Sequence, residues 1–208
     1  LISSGSIERP LVFGNNDTPG VMLSSAAKEY LKVYGVLVGK KPLIFTNNDS
    51  GYETAIEFKK NGIEPIILDT RKEPNSEIID EAKNLGIQIK FSYVVVAAKG
   101  YKKVKSAEIA KISDDKNELG TLENITCDCI CVSGFWTPTI HLASQSGNKT
   151  KFDKDIDAFV PGVSKQNETT LGAANGTFTL AETLKDSFDA GYELSKKITK
   201  NDNKILYP

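Results

Sequence analysis

Six consecutive residues, Thr46-Asn47-Asn48-Asp49-Ser50-Gly51, stand between a short apolar run, Lys41–Phe45, and a helical pattern. In an alternating strand–helix chain that is the place of a turn that binds phosphate through backbone N–H groups. Such a turn asks for G-x-G-x-x-G. The first glycine makes the tight turn, the second admits the pyrophosphate, and the third lets the helix pack on the strand. The three positions here are Thr46, Asn48 and Gly51, so only the packing glycine is kept. Asn48 tolerates a positive φ and can still turn the chain, but its side chain takes space that phosphate needs. Asp69, eighteen residues beyond Gly51, ends the next apolar run, where a ribose-binding acid stands. Arg71 and Lys72 follow it and are placed to steer a 2′-phosphate. Asn48, Gly51 and Asp69 are therefore the candidate nucleotide-binding residues of this turn. A degenerate nucleotide domain kept as scaffold is the expected reading, with live binding as the alternative.

Other reactive side chains are few. His141 is the only histidine, with Trp136 and Gln145 nearby but no Ser or Cys nucleophile arranged around it. A local hydrogen-bonding or interface role is expected, with Trp136-Thr137-Pro138 as an exposed contact surface. Cys127, Cys129 and Cys131, at a spacing of two on a strand, would share one face. That is not the C-x₂-C spacing of metal sites, and they read as small buried side chains of a reduced protein. No catalytic residue and no metal ligand is assigned.

The elements that must position these residues are read from periodicity. Residues 10–14 look like a strand edge, followed by the polar turn NNDTPG. Val21–Val36 has helical spacing and ends at Gly35 and Gly39. Strand 42–45, helix 50–61, strand 63–70, helix 76–85 and strand 87–91 then form β-α-β-α-β, with stops at Asn61-Gly62 and Gly86. This predicts a Rossmann-like parallel sheet with helices on both faces. Residues 93–99, 103–113 and 122–132 follow as three strands without helices, a three-stranded antiparallel β-meander insert whose end, CDCICVSG, returns to the parallel sheet. The turns are KGYKK and SDDKNELG. NNDTPG and NNDSG are similar, but their 32-residue offset has no echo elsewhere, so they read as two polar turns and not as a repeat. A long helix closes the chain, with Leu180, Leu184, Phe188, Tyr192 and Leu194 on its apolar side, Thr177 or Thr179 as cap, and a frayed polar tail of ten residues.

The bulk numbers narrow the classes. With 208 residues, 39% hydrophobic and 25% charged, the chain can build a proper core. A net charge of −1 with both signs scattered points to no nucleic-acid or anionic-membrane partner. No apolar run nears the roughly 18 residues of a membrane span. The start, LISSGSIERP, has neither a signal-peptide pattern nor an initiator Met, so the sequence reads as part of a longer chain.

Several phrases carry a resemblance. ISSGSIERPLVFGNNDTPGV resembles the stretch in which flavoprotein reductases with two dinucleotide domains pass from the first to the second, with A-T-G-A, E-R-P and P-G-V. KPLIFTNNDSGYETA and CDCICVSGFWTPTIHLASQSGNK are more specific and resemble the alpha subunits of bacterial heterotetrameric sarcosine oxidases, whose wording is S-G-x-W-x-P-x-x-H-L-x-S-Q-S-G-G-K. Gly147 is kept, Asn148 replaces the second glycine, and Phe135 stands where a smaller residue is usual. The resemblance implies an oxidoreductase assembly that demethylates sarcosine to glycine, makes hydrogen peroxide and passes the one-carbon unit to tetrahydrofolate, in the cytoplasm. It implies FAD, FMN and NAD as cofactors and further subunits as partners, with the sarcosine and folate sites outside this chain. It divides the chain into a return segment with linker helix (1–36), a second degenerate nucleotide domain with the meander (37–134), and a return to the first domain with a terminal helix (135–208). The return segments would place Ser4, Gly5, Gly172, Asn175 and Gly176 beside an NAD site built mostly elsewhere. The alternatives are a working NAD(P)H domain of a flavoprotein reductase and a non-enzymatic interaction module around Phe135, Trp136 and His141.

Overall fold

The computed structural model describes residues 1–113 and 118–199; the tip of SDDKNELG and the last nine residues lie outside it. The chain divides into two compact units. One is Glu8–Phe135; the other joins Leu1–Ile7 to the described residues from Trp136 onward. Residues 8–36, which the resemblance groups with a return segment, lie with the parallel sheet.

Strand β1 (Ser6–Glu8) opens the chain. The larger unit continues with β2 (Val21–Leu23), α1 (Ser24–Tyr34), β3 (Pro42–Thr46), α2 (Ser50–Lys60), β4 (Ile66–Asp69), α3 (Glu77–Asn84) and β5 (Gln88–Phe91). The meander is β6 (Tyr93–Lys99), β7 (Ser106–Lys111) and β8 (Glu123–Thr126), and β9 (Cys129–Ser133) follows. The five-stranded sheet has the order β2-β9-β3-β4-β5, and each of its neighbouring pairs is parallel. The meander is a separate antiparallel sheet, β6-β7-β8. The β-α-β-α-β run thus folds as its pattern predicts, and the helix stops hold. Gly62 and Gly86 have φ of 78° and 73°, and the following amides, Ile63 and Ile87, bond back to the carbonyls of Phe58 and Ala82.

Strand alternation splits the core in two. Leu43 and Phe45 of β3 join Leu68, Ile130, Val132 and the meander residues Val95, Ala107 and Ile109. Ile44, on the other side, joins Ala27 of α1, Tyr52 and Phe58 of α2, and Ile79 of α3. Helices therefore cover one face of the sheet and the meander covers the other, which corrects the expectation of helices on both faces. Burial of each large aliphatic side chain in these layers contributes about 1.5–3 kcal/mol.

Three further expectations are revised. Val21–Leu23 is a strand on β9 and not the first turn of a helix, because the sheet supplies it with partners at Ile130–Val132. Residues 10–14 form no strand; Gly14 makes a single bridge to Ala97. The third meander strand is two strands, broken at Cys127-Asp128. The Asp128 carboxylate accepts the amides of Lys40 and Lys41 at 2.9 and 2.8 Å, which moves the chain from meander to sheet at that point. Gly39 ends no helix. It allows this close approach, since a Cβ there would lie 2.5 Å from Asp128 Oδ1. The same break separates the cysteines. Cys127 packs in the meander core, while Cys129 and Cys131 face the helices with their sulfurs 3.3 Å apart. All three are free and buried, but not on one face.

In the smaller unit β1 pairs with β10 (Trp136–Pro138), and α4 (His141–Gln145) follows. Strands β11 (Thr150–Asp153) and β12 (Ala158–Pro161) form a hairpin. A 3-10 turn, Gly172–Asn175, precedes α5 (Leu180–Thr199). Thr179 caps α5, its Oγ1 accepting the Glu182 amide at 3.3 Å. Leu180 and Leu184, expected on a buried apolar side, are exposed.

Candidate functional site

The register of the parallel sheet brings Thr46, Asp69 and Ser133 side by side at its carboxyl-terminal edge. From β3 the chain proceeds through β4 to β5 on one side and returns as β9 on the other. The gap between β3 and β9 is thus the topological switch point, where open α/β sheets bind ligands. Asn48 sits in it. Its side chain is 5% exposed and turns inward, donating from Nδ2 to Ser133 O at 3.1 Å and accepting the Ser50 amide on Oδ1 at 2.9 Å. Thr46 Oγ1 closes the turn, donating to Asn48 O at 2.8 Å and accepting the Asn48 amide at 3.1 Å. The backbone and side-chain groups at the front of the turn are thus taken up within the chain.

Gly51 is a packing point between α2 and β3. A Cβ there would lie 2.7 Å from both Cβ and Oγ1 of Thr46, so the residue at the first glycine position is also the wall against which α2 rests.

Asp69 is fully buried and its carboxylate is already held. Tyr52 donates its hydroxyl to Oδ2 at 2.7 Å, and the Arg71 amide donates to Oδ1 at 2.9 Å. The Arg71 guanidinium reaches the same carboxylate through Nε at 3.1 Å and Nη2 at 2.8 Å. Nη2 also lies 2.8 Å from Oδ1 of Asp49, the residue that opens α2. Burial, then the bond to Asp69, raises the Tyr52 phenol well above its ordinary value. Burial works against the Arg71 charge, but Asp69 and Asp49 outweigh it and raise the guanidinium. Arg71, read from the sequence as a phosphate-steering cation, instead spans two carboxylates of its own chain.

A dinucleotide at this turn would compete with side chains of the chain itself. Phosphate at the amino-terminal end of α2 would meet the Asp49 carboxylate and the Asn48 side chain, and a ribose diol would have to displace Arg71 and Tyr52 from Asp69. Sequence reasoning missed Tyr52, Ser133 and Asp49 in this cluster. Tyr52 follows the packing glycine directly, which was the one available signal; the pairing with Ser133 is 85 residues away in sequence.

The smaller unit brings the other candidates together. Ile2 bridges Thr170 in parallel, with its amide on Thr169 O at 2.8 Å and its carbonyl accepting the Leu171 amide at 3.0 Å. The segment with Ser4 and Gly5 is thereby laid beside the segment that runs into Gly172–Gly176. Ser4 Oγ donates to Thr139 O at 2.8 Å. Gly5, with φ 71°, has open space where a Cβ would be. Gly172 is buried against Thr183, and Gly176 is half-buried against Ile156 and Val160. Asn175 is exposed and lines a polar cavity of about 220 Å³ with Asn148, Ser164, Glu168 and Thr170. Asn148, where the family motif has glycine, donates to Glu168 Oε1 at 2.6 Å and accepts the Lys165 amide at 2.8 Å. His141 is exposed and opens α4; Trp136 is half-buried in β10. Phe135 has φ 79°, a conformation that favours glycine, which accounts for smaller residues at this position. Among the described residues no group of three or more His, Cys, Asp or Glu could hold a metal ion, and no helix is long and apolar enough to cross a membrane.

No family model matches the chain. The solved structures of thioredoxin reductases from T. acidophilum and Lactococcus lactis both superpose with a TM-score of 0.71. The first is 18% identical and shares 95% of this chain and 65% of its own; the second is 15% identical and shares 96% and 66%. At that identity they show the fold, a Rossmann-like α/β architecture. Among curated proteins, sarcosine oxidase subunit alpha of Corynebacterium sp. (strain P-1) is 33% identical over 88% of this chain. The subunit alpha of Rhizobium meliloti (strain 1021) is 36% identical over 85%. The chain spans 19% and 17% of the length of these two relatives. Sequence relationship along nearly the whole chain, on a fold that agrees with it, places the chain in the sarcosine oxidase alpha-subunit family, where it matches one segment of much longer relatives.

Proposed function

We propose that this chain is the part of a sarcosine oxidase-type alpha subunit that supplies a nucleotide-domain scaffold, Glu8–Phe135, together with return segments for a neighbouring NAD site. The observation that carries the scaffold role is at the switch point, where Asn48 bonds across to Ser133 and Arg71 spans Asp69 and Asp49. The side-by-side placement of Ile2 and Thr170 supports Ser4, Gly5, Gly172, Asn175 and Gly176 as one edge of that neighbouring site. In the complete assembly the activity that the resemblance implies would apply: oxidation of sarcosine to glycine with hydrogen peroxide and transfer of the one-carbon unit to tetrahydrofolate, with FAD, FMN and NAD. The sarcosine and folate sites, and the first glycine-rich turn, belong to other parts of that assembly. Three free buried thiols support a reducing, cytoplasmic setting. Tyr30, Val33 and Tyr34, exposed along α1, are the surface we assign to contact with the rest of the enzyme.

Isothermal titration of the 208-residue chain with NAD tests the scaffold role. The expected result is no saturation up to millimolar coenzyme, and no peroxide formation from sarcosine. Micromolar binding would instead support a working NAD(P)H domain.

A further inference from the structure

Five lysines gather at the amino-terminal edge of the parallel sheet, the end away from the Thr46–Gly51 turn. Lys40 and Lys41 lead into β3, and Lys102, Lys103 and Lys105 belong to the turn between β6 and β7. Cys127 and Asp128 join the two groups. The Cys127 amide donates to Lys105 O at 3.3 Å, and the Asp128 amide donates to Lys41 O at 3.2 Å. The lysine-rich turn has a fixed shape. The Lys105 amide closes it on Lys99 O at 2.8 Å, and a Cβ at Gly100, with φ 155°, would lie 1.9 Å from Lys103 O. Tyr101 stands at its tip, 93% exposed.

Elsewhere in this unit lysines are neutralised where they stand. Lys28, Lys32, Lys59 and Lys60 pair with Glu53, Glu57, Glu64 and Glu81, and Lys99 pairs with Glu108. Among the described residues no carboxylate pairs with the ammonium groups of the five at the edge. Two acids lie close to them. Asp128 turns its carboxylate to the backbone amides of Lys40 and Lys41, and Asp17 stands in the turn that Pro19 O ties to the Val104 amide. Five cations against two acids make the edge positive in a chain whose net charge is −1. Like charges held together repel, and a complementary surface relieves that repulsion. Beside Lys41 opens a cavity of about 390 Å³, walled by Pro42, Leu43, Ile66, Ile125 and Cys127, with room for an apolar side chain.

We propose that this edge docks an acidic segment of another chain of the enzyme. Carboxylates of that segment meet the five ammonium groups, Tyr101 packs on it, and one of its apolar side chains enters the cavity. This rests on the reading of the chain as part of a multi-subunit enzyme. The chemistry favours a protein partner. A polynucleotide or an anionic membrane would use the charge and leave the apolar cavity idle. The cations of the edge are all lysine, without the arginine that grips phosphate through two parallel bonds.

The test uses the assembled enzyme. Lys102→Glu with Lys103→Glu and Lys105→Glu alters exposed side chains only, so the melting midpoint should stay within about 2 °C of the parent. Association of this triple variant with the other subunits, followed by analytical ultracentrifugation, should be at least about tenfold weaker than that of the parent. The parent's own association should weaken by about as much between about 50 and about 300 mM salt. Equal association of variant and parent at both salt concentrations would overturn the proposal and leave the scaffold role intact. A photo-reactive p-benzoylphenylalanine in place of Tyr101 should cross-link to an acidic stretch of another subunit; adducts within the alpha chain alone would also overturn it. Should the triple variant melt early, the cross-link, made with all five lysines in place, decides. A single-stranded oligonucleotide, or vesicles containing phosphatidylserine, that bound the 208-residue chain at about 150 mM salt and released the triple variant would overturn the proposal in favour of that partner. An enzyme that forms without any other subunit would sink this proposal and the multi-subunit reading together.

Discussion

Gly51 is held in place by one neighbour. Its missing Cβ is what lets α2 lie against Thr46, so Gly51→Ala forces either the helix or the buried end of β3 to move. We expect it to cost about 1–3 kcal/mol in urea denaturation. Thr46→Gly in the same chain should recover part of that loss, and a double-mutant cycle with no coupling would refute the pairing. The residue scale is also where the sequence was read best in type and least well in role. Thr46 and Asn48 depart from the glycine pattern by identity alone. That Asn48 points inward to Ser133, and that Arg71 turns back onto Asp69 and Asp49, depends on strands brought together by the sheet. No local spacing encodes such partners.

At the scale of elements, α1 shows how a short helix start is completed from elsewhere in the chain. Its N-cap residue is Leu23, which has no side-chain oxygen to offer. Glu8, 4% exposed, supplies the missing acceptor: its Oε2 takes the Ser25 amide at 2.9 Å, and its charge suits the positive end of the helix. Glu8→Ala should destabilise the protein by about 1–2 kcal/mol in chemical denaturation. Glu8→Gln, which keeps the acceptor without the charge, should lose less. If both variants are equally destabilised, the contribution is not capping. The same region explains the misread strand. Val21–Leu23 is only three residues long, and its apolar residues continue smoothly into the helical period of Ala26, Ala27 and Leu31, so periodicity alone extends the helix backwards. By contrast the ends of α2 and α3, marked by Asn61-Gly62 and Gly86, were legible because their glycines encode the stop locally.

For the molecule as a whole, three buried groups tie stability to pH. Burial pushes the Cys127 thiol up to about 12, with help from Cys129 and Asp128. The bond to Cys129 and then burial raise Cys131, and burial and Asp69 raise Tyr52. In each case folding raises the pKa, so the folded chain keeps protons that the unfolded chain releases. Their stabilisation is complete below the ordinary thiol value near 9 and is lost as pH climbs toward 12. Denaturation midpoints should therefore fall between pH 8 and about 10.5, and Cys127→Ala should flatten that decline. A midpoint indifferent to alkaline pH would contradict it. By itself the sequence determined the strand–helix rhythm of residues 41–91, the meander, the defect in the glycine turn and the family, because each is written in local spacing or in runs of identical residues. Only the tertiary structure decided which faces the helices cover, where the cysteine strand breaks, and that Asn48 bonds to Ser133 while Arg71 spans Asp69 and Asp49. Those outcomes depend on contacts between residues far apart in sequence, such as Asn48 with Ser133 and Asp128 with Lys40, which exist only once the parallel sheet has set its strand order.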